Sequence, residues 1–149
     1  MGGIEPAKSY IVEALSAGKD VVTGNKALIA ESDAELYGLA REKGAQLFYE
    51  AAVAGAIPIL RPIYESLAGD NITSVMGIVN GSTNYILDKM DREGASLDAV
   101  MEEASALGYL EADPSADVDG HDAAAKAAIL ATYAFGTPYT IDQVYTEGI

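Results

Sequence analysis

The 149-residue sequence contains no cysteine and no tryptophan, a single histidine, and nine lysines and arginines against 23 acidic residues. Each shortage closes off a class of function. Without cysteine there is no disulfide, no thiolate metal site and no thiol nucleophile. A formal net charge of −14 and a pI near 4.2 repel phosphate backbones and anionic headgroups, which argues against nucleic-acid and membrane partners. No apolar run approaches the ~18 to 20 residues that a membrane span needs. The opening MGGIEPAKSY also has no charged-then-apolar leader pattern. The expectation is a globular, cytoplasmic protein. Half of its residues are hydrophobic, enough for a packed core in one domain or in parts of two.

What is present concentrates between Ala104 and Lys126. Glu111, Asp113, Asp117, Asp119 and Asp122 crowd a loop punctuated by Gly108, Pro114 and Gly120, and the run closes on Lys126. Charges kept for solubility would be scattered along exposed faces; gathered between two alanine-rich helical segments, they suggest a site for a small polar molecule. A calcium loop does not fit. With Gly120 as its obligatory glycine, Lys126 would stand where a bidentate glutamate is required. Asp122 and Lys126 are four residues apart on a helix and share a face. They make either an exposed ion pair worth ~0.3 to 0.5 kcal/mol or, with small alanines around them, a buried lysine tuned as a proton donor. His121 reads as an exposed loop or first-turn residue. Met76, Met90 and Met101 read as core fillers.

Apolar spacing predicts a first helix over residues 7–17, stopped by Gly18. A short buried strand follows over residues 20–23. Ser32 and Glu35 form a capping box for a helix through Leu36, Leu39 and Ala40 to Gly44, and residues 45–52 read as a second strand. Such alternation with short connections is the pattern of a parallel sheet covered by helices. The composition then shifts. Pro58 and Pro62 open a short helix to about Leu67, and the β-branched residues 71–79 predict a strand. Asn80 to Thr83 cap a helix to about Arg92 with Ile86, Leu87 and Met90 inward; Ser96 caps another ending at Gly108. A long helix spans residues 120–135, and residues 139–149 have strand spacing.

Ala104, Gly108, Tyr109, Asp113-Pro114, Asp117-Val118, Gly120, Asp122 and Lys126 stand at the spacing of a known signature, that of the homoserine dehydrogenases. Four further blocks match in family order: Gly2 to Ala7, Val22 to Leu28, Glu50 to Pro58, and Gly77 to Leu87. The sequence therefore resembles the homoserine dehydrogenase family over most of its length. One departure is Leu110, where the family usually has a small residue, which implies altered packing beside the substrate.

The resemblance implies an α/β fold: the C-terminal part of a Rossmann-type nucleotide-binding domain over 1–57, then an incomplete α+β substrate and dimerisation domain over 58–149. It implies NADPH- or NADH-dependent reduction of L-aspartate 4-semialdehyde to L-homoserine, on the route to threonine, methionine and isoleucine, by a homodimer or higher homo-oligomer. Lys126 matches the catalytic proton donor, with Asp122 beside it. Glu111 and Asp122, with Asp117 assisting, would hold the substrate ammonium, and Tyr109, Gly81 and Ser82 would line its pocket. Lys26, Thr23, Gly108, Gly2 and Gly3 would lie near the nicotinamide. Glu50 and the carbonyls of Val53, Gly55 and Ile57 match a monovalent cation site, usually sodium. Taken as bare sequence, Lys26 is more often an ordinary surface lysine and the Glu50 to Ile57 stretch more often a bare strand-to-helix corner.

No Gly-x-Gly-x-x-Gly turn for a cofactor pyrophosphate is present. The expectation is an internal fragment, inactive in isolation. Two alternatives stay open: a catalytically dead regulatory or assembly module of the same fold, and a related nicotinamide oxidoreductase acting on another amino-acid aldehyde.

Overall fold

The computed structural model describes residues 3–111 and 113–149. Two compact units emerge: one comprises residues up to Val75 together with Ala125–Val144, the other Met76–Ala124 with Tyr145–Ile149.

The first unit opens with helix α1 (Ala7–Ser16), which buries Ala7, Ile11 and Leu15 along one stripe. Strand β1 (Val21–Val22) follows, then α2 (Lys26–Lys43) and β2 (Leu47–Phe48). The strands pair in parallel, Val21 opposite Leu47 and Val22 opposite Phe48, as the helix–strand alternation predicts. Helix α1 packs on α2, and Leu15, Leu28, Ile29 and Leu36 are almost wholly inaccessible to water. Burying each such side chain contributes about 1.5–3 kcal/mol.

Several boundaries differ from expectation for local reasons. Asn25, not Ser32, caps α2: its side chain accepts from the Leu28 N–H at 3.2 Å, so the helix begins seven residues earlier. Ser32 instead marks a kink within α2, with φ −128° and ψ 15°, and is buried. The β1 strand is not buried, since Val22 is 82% exposed. The second strand covers only Leu47–Phe48; the chain then turns at Tyr49 into a 3-10 turn, Glu50–Ala52. The proline-led helix is a wide turn, Pro62–Ser66, closed by the Leu67 N–H on the Pro62 carbonyl. Residues 139–149 form no strand, and a capped 3-10 turn, Ile141–Gln143, occupies part of that stretch.

The second unit is built on α3 (Gly81–Glu93) and α4 (Leu97–Ala106), capped by Asn80 and Ser96 as the sequence predicts. Ile86, Val100, Ala104 and Leu110 form its core, with Met90 and Met101 packed against them. Leu87 faces outward instead of inward. Residues 71–79 form no strand: β-branched residues favour a pleated surface only where a neighbour supplies the ladder, and among the described residues no strand lies paired with them. Met76 is consequently 94% exposed, not a core filler. Within the acidic loop a four-residue helix, α5 (Ser115–Val118), precedes α6 (His121–Phe135). Helix α6 begins in the second unit and continues into the first. His121 is exposed in its first turn, as expected, while Ala124, Ala125, Ala128, Ile129 and Leu130 are buried.

Candidate active site

In the second unit the acidic loop is drawn to the head of α3. Asn80 donates two hydrogen bonds from its amide nitrogen, to Asp117 Oδ1 at 2.6 Å and to Asp122 Oδ2 at 3.0 Å. Its carbonyl oxygen accepts from the Thr83 N–H at 2.9 Å and the Thr83 hydroxyl at 3.0 Å. Asp122 is buried and Asp117 half-buried, whereas Glu111 is exposed. The loop thus brings together two of the three acids named as substrate holders.

Ser82, in the first turn of α3, donates from its hydroxyl to the Tyr109 carbonyl at 2.7 Å. This fixes the loop segment carrying Tyr109 beside Gly81-Ser82. The Tyr109 ring meets that of Tyr85 edge-on, with centroids 4.9 Å apart. Tyr85 in turn donates to Glu103 Oε1 at 2.7 Å, and Lys89 pairs with the same carboxylate. The Lys89 ammonium, followed by the Tyr85 hydroxyl, holds the Glu103 carboxyl below the usual carboxylate range. Leu110, between Tyr109 and Glu111, points into the hydrophobic core and not into a pocket. A larger residue at 110 is therefore accommodated by packing against Ile86 and Val100. Gly108 takes a left-handed conformation, φ 78°, directly after α4.

In the first unit an open cleft of about 620 Å³ is lined by Gly3, Thr23, Gly24, Asn25 and Lys26 among others. Asn25 organises its floor. The Asn25 side chain donates to the Gly3 carbonyl at 2.6 Å, and its backbone N–H donates to the Thr23 hydroxyl at 3.1 Å. Gly3, Thr23 and Lys26, three of the positions expected near a nicotinamide, thereby share one cleft. Gly2 lies outside the described residues. Lys26 and Lys126 are both half-buried, and α6 carries Lys126 one turn beyond Asp122.

Glu50 sits at a separate corner. Its Oε1 accepts from the N–H groups of Ile59 at 2.6 Å and Leu60 at 3.0 Å, and its Oε2 from that of Arg61 at 2.9 Å. Between them the chain passes through Ala54 and Gly55, both left-handed at φ 61° and 57°. Val53 is buried and Ile57 is 66% exposed.

A family model described as homoserine dehydrogenase matches residues 58–149, and one described as homoserine dehydrogenase, NAD binding domain, matches residues 1–50. The chain belongs to the homoserine dehydrogenase family. It is 59% identical to the homoserine dehydrogenase of Corynebacterium glutamicum over all 149 residues, which make up 34% of that protein. Its fold matches the crystal structure of a homoserine dehydrogenase from Thiobacillus denitrificans with a TM-score of 0.98 at 46% identity, covering 100% of this chain and 35% of that one. A hyperthermophilic archaeal homoserine dehydrogenase in complex with NADPH matches with a TM-score of 0.85 at 43% identity, over 93% of this chain and 45% of that one. The chain thus spans about a third of the length of the curated relatives it matches.

Two organising side chains have no site role among the expectations drawn from the sequence. Asn80 appears there only as a helix cap, and Asn25 only within a matching block. Each does more than local capping, through bonds to partners 37, 42 and 22 residues away. The only sequence signal for either is an asparagine where serine, threonine or aspartate would cap equally well.

Proposed function

We propose that this chain forms the substrate-holding part, and part of the cofactor-holding region, of an enzyme that reduces L-aspartate 4-semialdehyde to L-homoserine with NADPH or NADH. The observation that carries the reading is the convergence of Asp117 and buried Asp122 on one amide, beside the Ser82–Tyr109 link. Two carboxylates held together suit an ammonium group, and an amino-acid aldehyde presents one at the end opposite its reacting carbon. Glu111, exposed on the same loop, supplies a third acid, and Gly81, Ser82 and Tyr109 line the adjoining surface.

The residues of the open cleft fit a nicotinamide. Gly3, Thr23 and Gly24 are small enough for a flat ring to approach the backbone, and Lys26 supplies a cation beside it. Gly108, and Gly2 by family resemblance, complete the proposed contacts. The chemistry such a cofactor supplies is transfer of a hydride to the aldehyde carbon. The chain's own task is the proton. As the carbonyl carbon becomes tetrahedral its oxygen gains negative charge, and Lys126 Nζ delivers the proton that makes the hydroxyl, with solvent restoring the ammonium. Asp122, one helical turn away, fixes its approach.

The corner at Glu50 fits a monovalent cation in donor type. Oxygen donors and a single carboxylate suit a hard ion of unit charge, and successive left-handed residues, one of them an alanine, are a strained backbone kept where carbonyls must be re-aimed. Sodium held by Glu50 and the carbonyls of Val53, Gly55 and Ile57 is the proposal. A division at 57/58 between a cofactor domain over 1–57 and a substrate domain over 58–149, a homo-oligomeric cytoplasmic enzyme, and a place in threonine, methionine and isoleucine synthesis complete it.

The test is a nicotinamide oxidation assay with aspartate semialdehyde on the full-length enzyme, compared with Lys126→Ala. Turnover should fall at least a hundredfold, while homoserine affinity changes little. Unchanged turnover would remove Lys126 from the reaction, and full turnover by the isolated 149 residues would overturn the expectation that this part is insufficient alone.

A further inference from the structure

We infer that Asn80 is a positioning residue, whose amide locks Asp117 and Asp122 into one receptor for the substrate ammonium while its carbonyl oxygen caps α3. This rests on the reading of those two acids given above. A primary amide has two N–H donors and an oxygen with two lone pairs. In Asn80 all four are committed: the donors to Asp117 and Asp122, the oxygen to the backbone N–H and the hydroxyl of Thr83.

The orientation of the amide follows from chemistry. A backbone N–H can only donate, so the group facing Thr83 must be the oxygen, and the NH2 must face the acids. Turned by 180°, the amide would set its oxygen against two carboxylates and its N–H groups against another N–H. The head of α3 therefore acts as a fixed post on which the acid pair is hung.

Helix capping does not explain an asparagine at this position. Serine and aspartate cap as well, but serine is too short to reach both acids and aspartate has no donor. Without the amide, the two carboxylates, one of them buried, would face each other with the donor group they share gone. Asp119 flanks them on the same loop, and Glu147 lies in the segment whose backbone rests against Gly120. His121 is the titratable group next in sequence to Asp122, and Lys126 follows on the same helix. The structure thus assigns Asn80 two separable tasks, capping α3 and holding the two acids, and only the holding of the acids concerns substrate.

Asn80→Ser and Asn80→Asp separate them in the full-length enzyme, since both keep a cap. The expected result is a tenfold or greater rise in KM for aspartate semialdehyde with a smaller change in kcat. With the aspartate carboxyl carbons labelled with 13C, the Asp117 and Asp122 signals should move in Asn80→Ser relative to the parent at a fixed pH, while those of Asp88 and Asp91 stay in place. This readout does not depend on activity, so it stands even if the proposed reaction is wrong. Should a variant fail to fold, the parent still reports: both Asn80 side-chain amide protons, held by the two carboxylates, should exchange slowly with solvent. Asp117 and Asp122 carboxyl signals and a KM unmoved by Asn80→Ser, or Asn80 amide protons that exchange as fast as those of an exposed asparagine, would overturn the assignment.

Discussion

The Tyr49 hydroxyl donates a hydrogen bond of 2.5 Å to Asp33 Oδ1, tying the end of β2 to the middle of α2. Tyr49 is 3% exposed, and its ring also meets that of Tyr133 edge-on with centroids 5.6 Å apart. Burial pushes the Asp33 carboxyl above its ordinary value, and the tyrosine bond partly offsets this. Burial first, then the bond to Asp33, pushes the Tyr49 phenol far above its own.

Tyr49→Phe removes the donor and leaves a partly buried carboxylate short of a partner. Urea unfolding should show a loss of about 1–3 kcal/mol at pH 7. The loss should be smaller near pH 4, where Asp33 takes up a proton and no longer needs the phenol as strongly. The parent protein should also lose stability as the pH rises past about 10. There the unfolded tyrosine ionises while the folded one holds its proton, so the contribution is complete below that pH and fades above it. Equal losses at pH 4 and pH 7 would contradict the role of the carboxylate.

The turn between α5 and α6, which sets Asp117 and Asp122 in place, is clasped by the segment 145–149. The Ile149 N–H donates to the Val118 carbonyl at 3.0 Å. A Cβ at Gly148 would come within 2.6 Å of the Val118 carbonyl oxygen, and one at Gly120, where φ is 82°, within 2.9 Å of the Glu147 oxygen. Both obstacles are backbone and cannot swing aside. Gly148→Ala and Gly120→Ala should each destabilise by about 1–3 kcal/mol, with the larger effect at Gly120 because the left-handed backbone adds its own strain. Gly77→Ala, which meets nothing within 4 Å, serves as the control. Denaturant midpoints of the three variants give the comparison; an unshifted Gly148→Ala would refute the clasp.

Glu50 accepts three backbone N–H groups ahead of the Pro62 turn. Glu50→Gln puts an N–H donor where one oxygen now accepts, and should cost about 1–3 kcal/mol by thermal or urea unfolding. The proposed cation adds a separate expectation. Sodium chloride should raise the melting temperature of the parent more than choline chloride does at equal ionic strength, and Glu50→Gln should abolish that excess. A parent that responds identically to the two salts has no sodium site at this corner.

Much of this protein was decided locally and could be read directly from the chain. Asn80 and Ser96 cap α3 and α4 through bonds to residues three positions on, and Gly18, Gly44 and Gly136 end or follow helices in left-handed conformations only glycine adopts cheaply. The parallel pairing of β1 with β2 followed from the short helix–strand alternation, and the acids and Lys126 were visible as a cluster with family spacing. Tertiary structure decided what depended on partners distant in sequence. Residues 71–79 have the composition of a strand, but a strand exists only where a neighbour offers its N–H and C=O groups. Asn25 rather than Ser32 starts α2, because packing of Leu28 and Ile29 extends the helix back through a kink that the capping box had marked as its start. Leu110 belongs to the core, and Asn80 holds two acids 37 and 42 residues away. Propensity and capping act over three or four residues, so they leave a trace in the sequence; an amide that finds two carboxylates across the fold leaves none beyond its own identity.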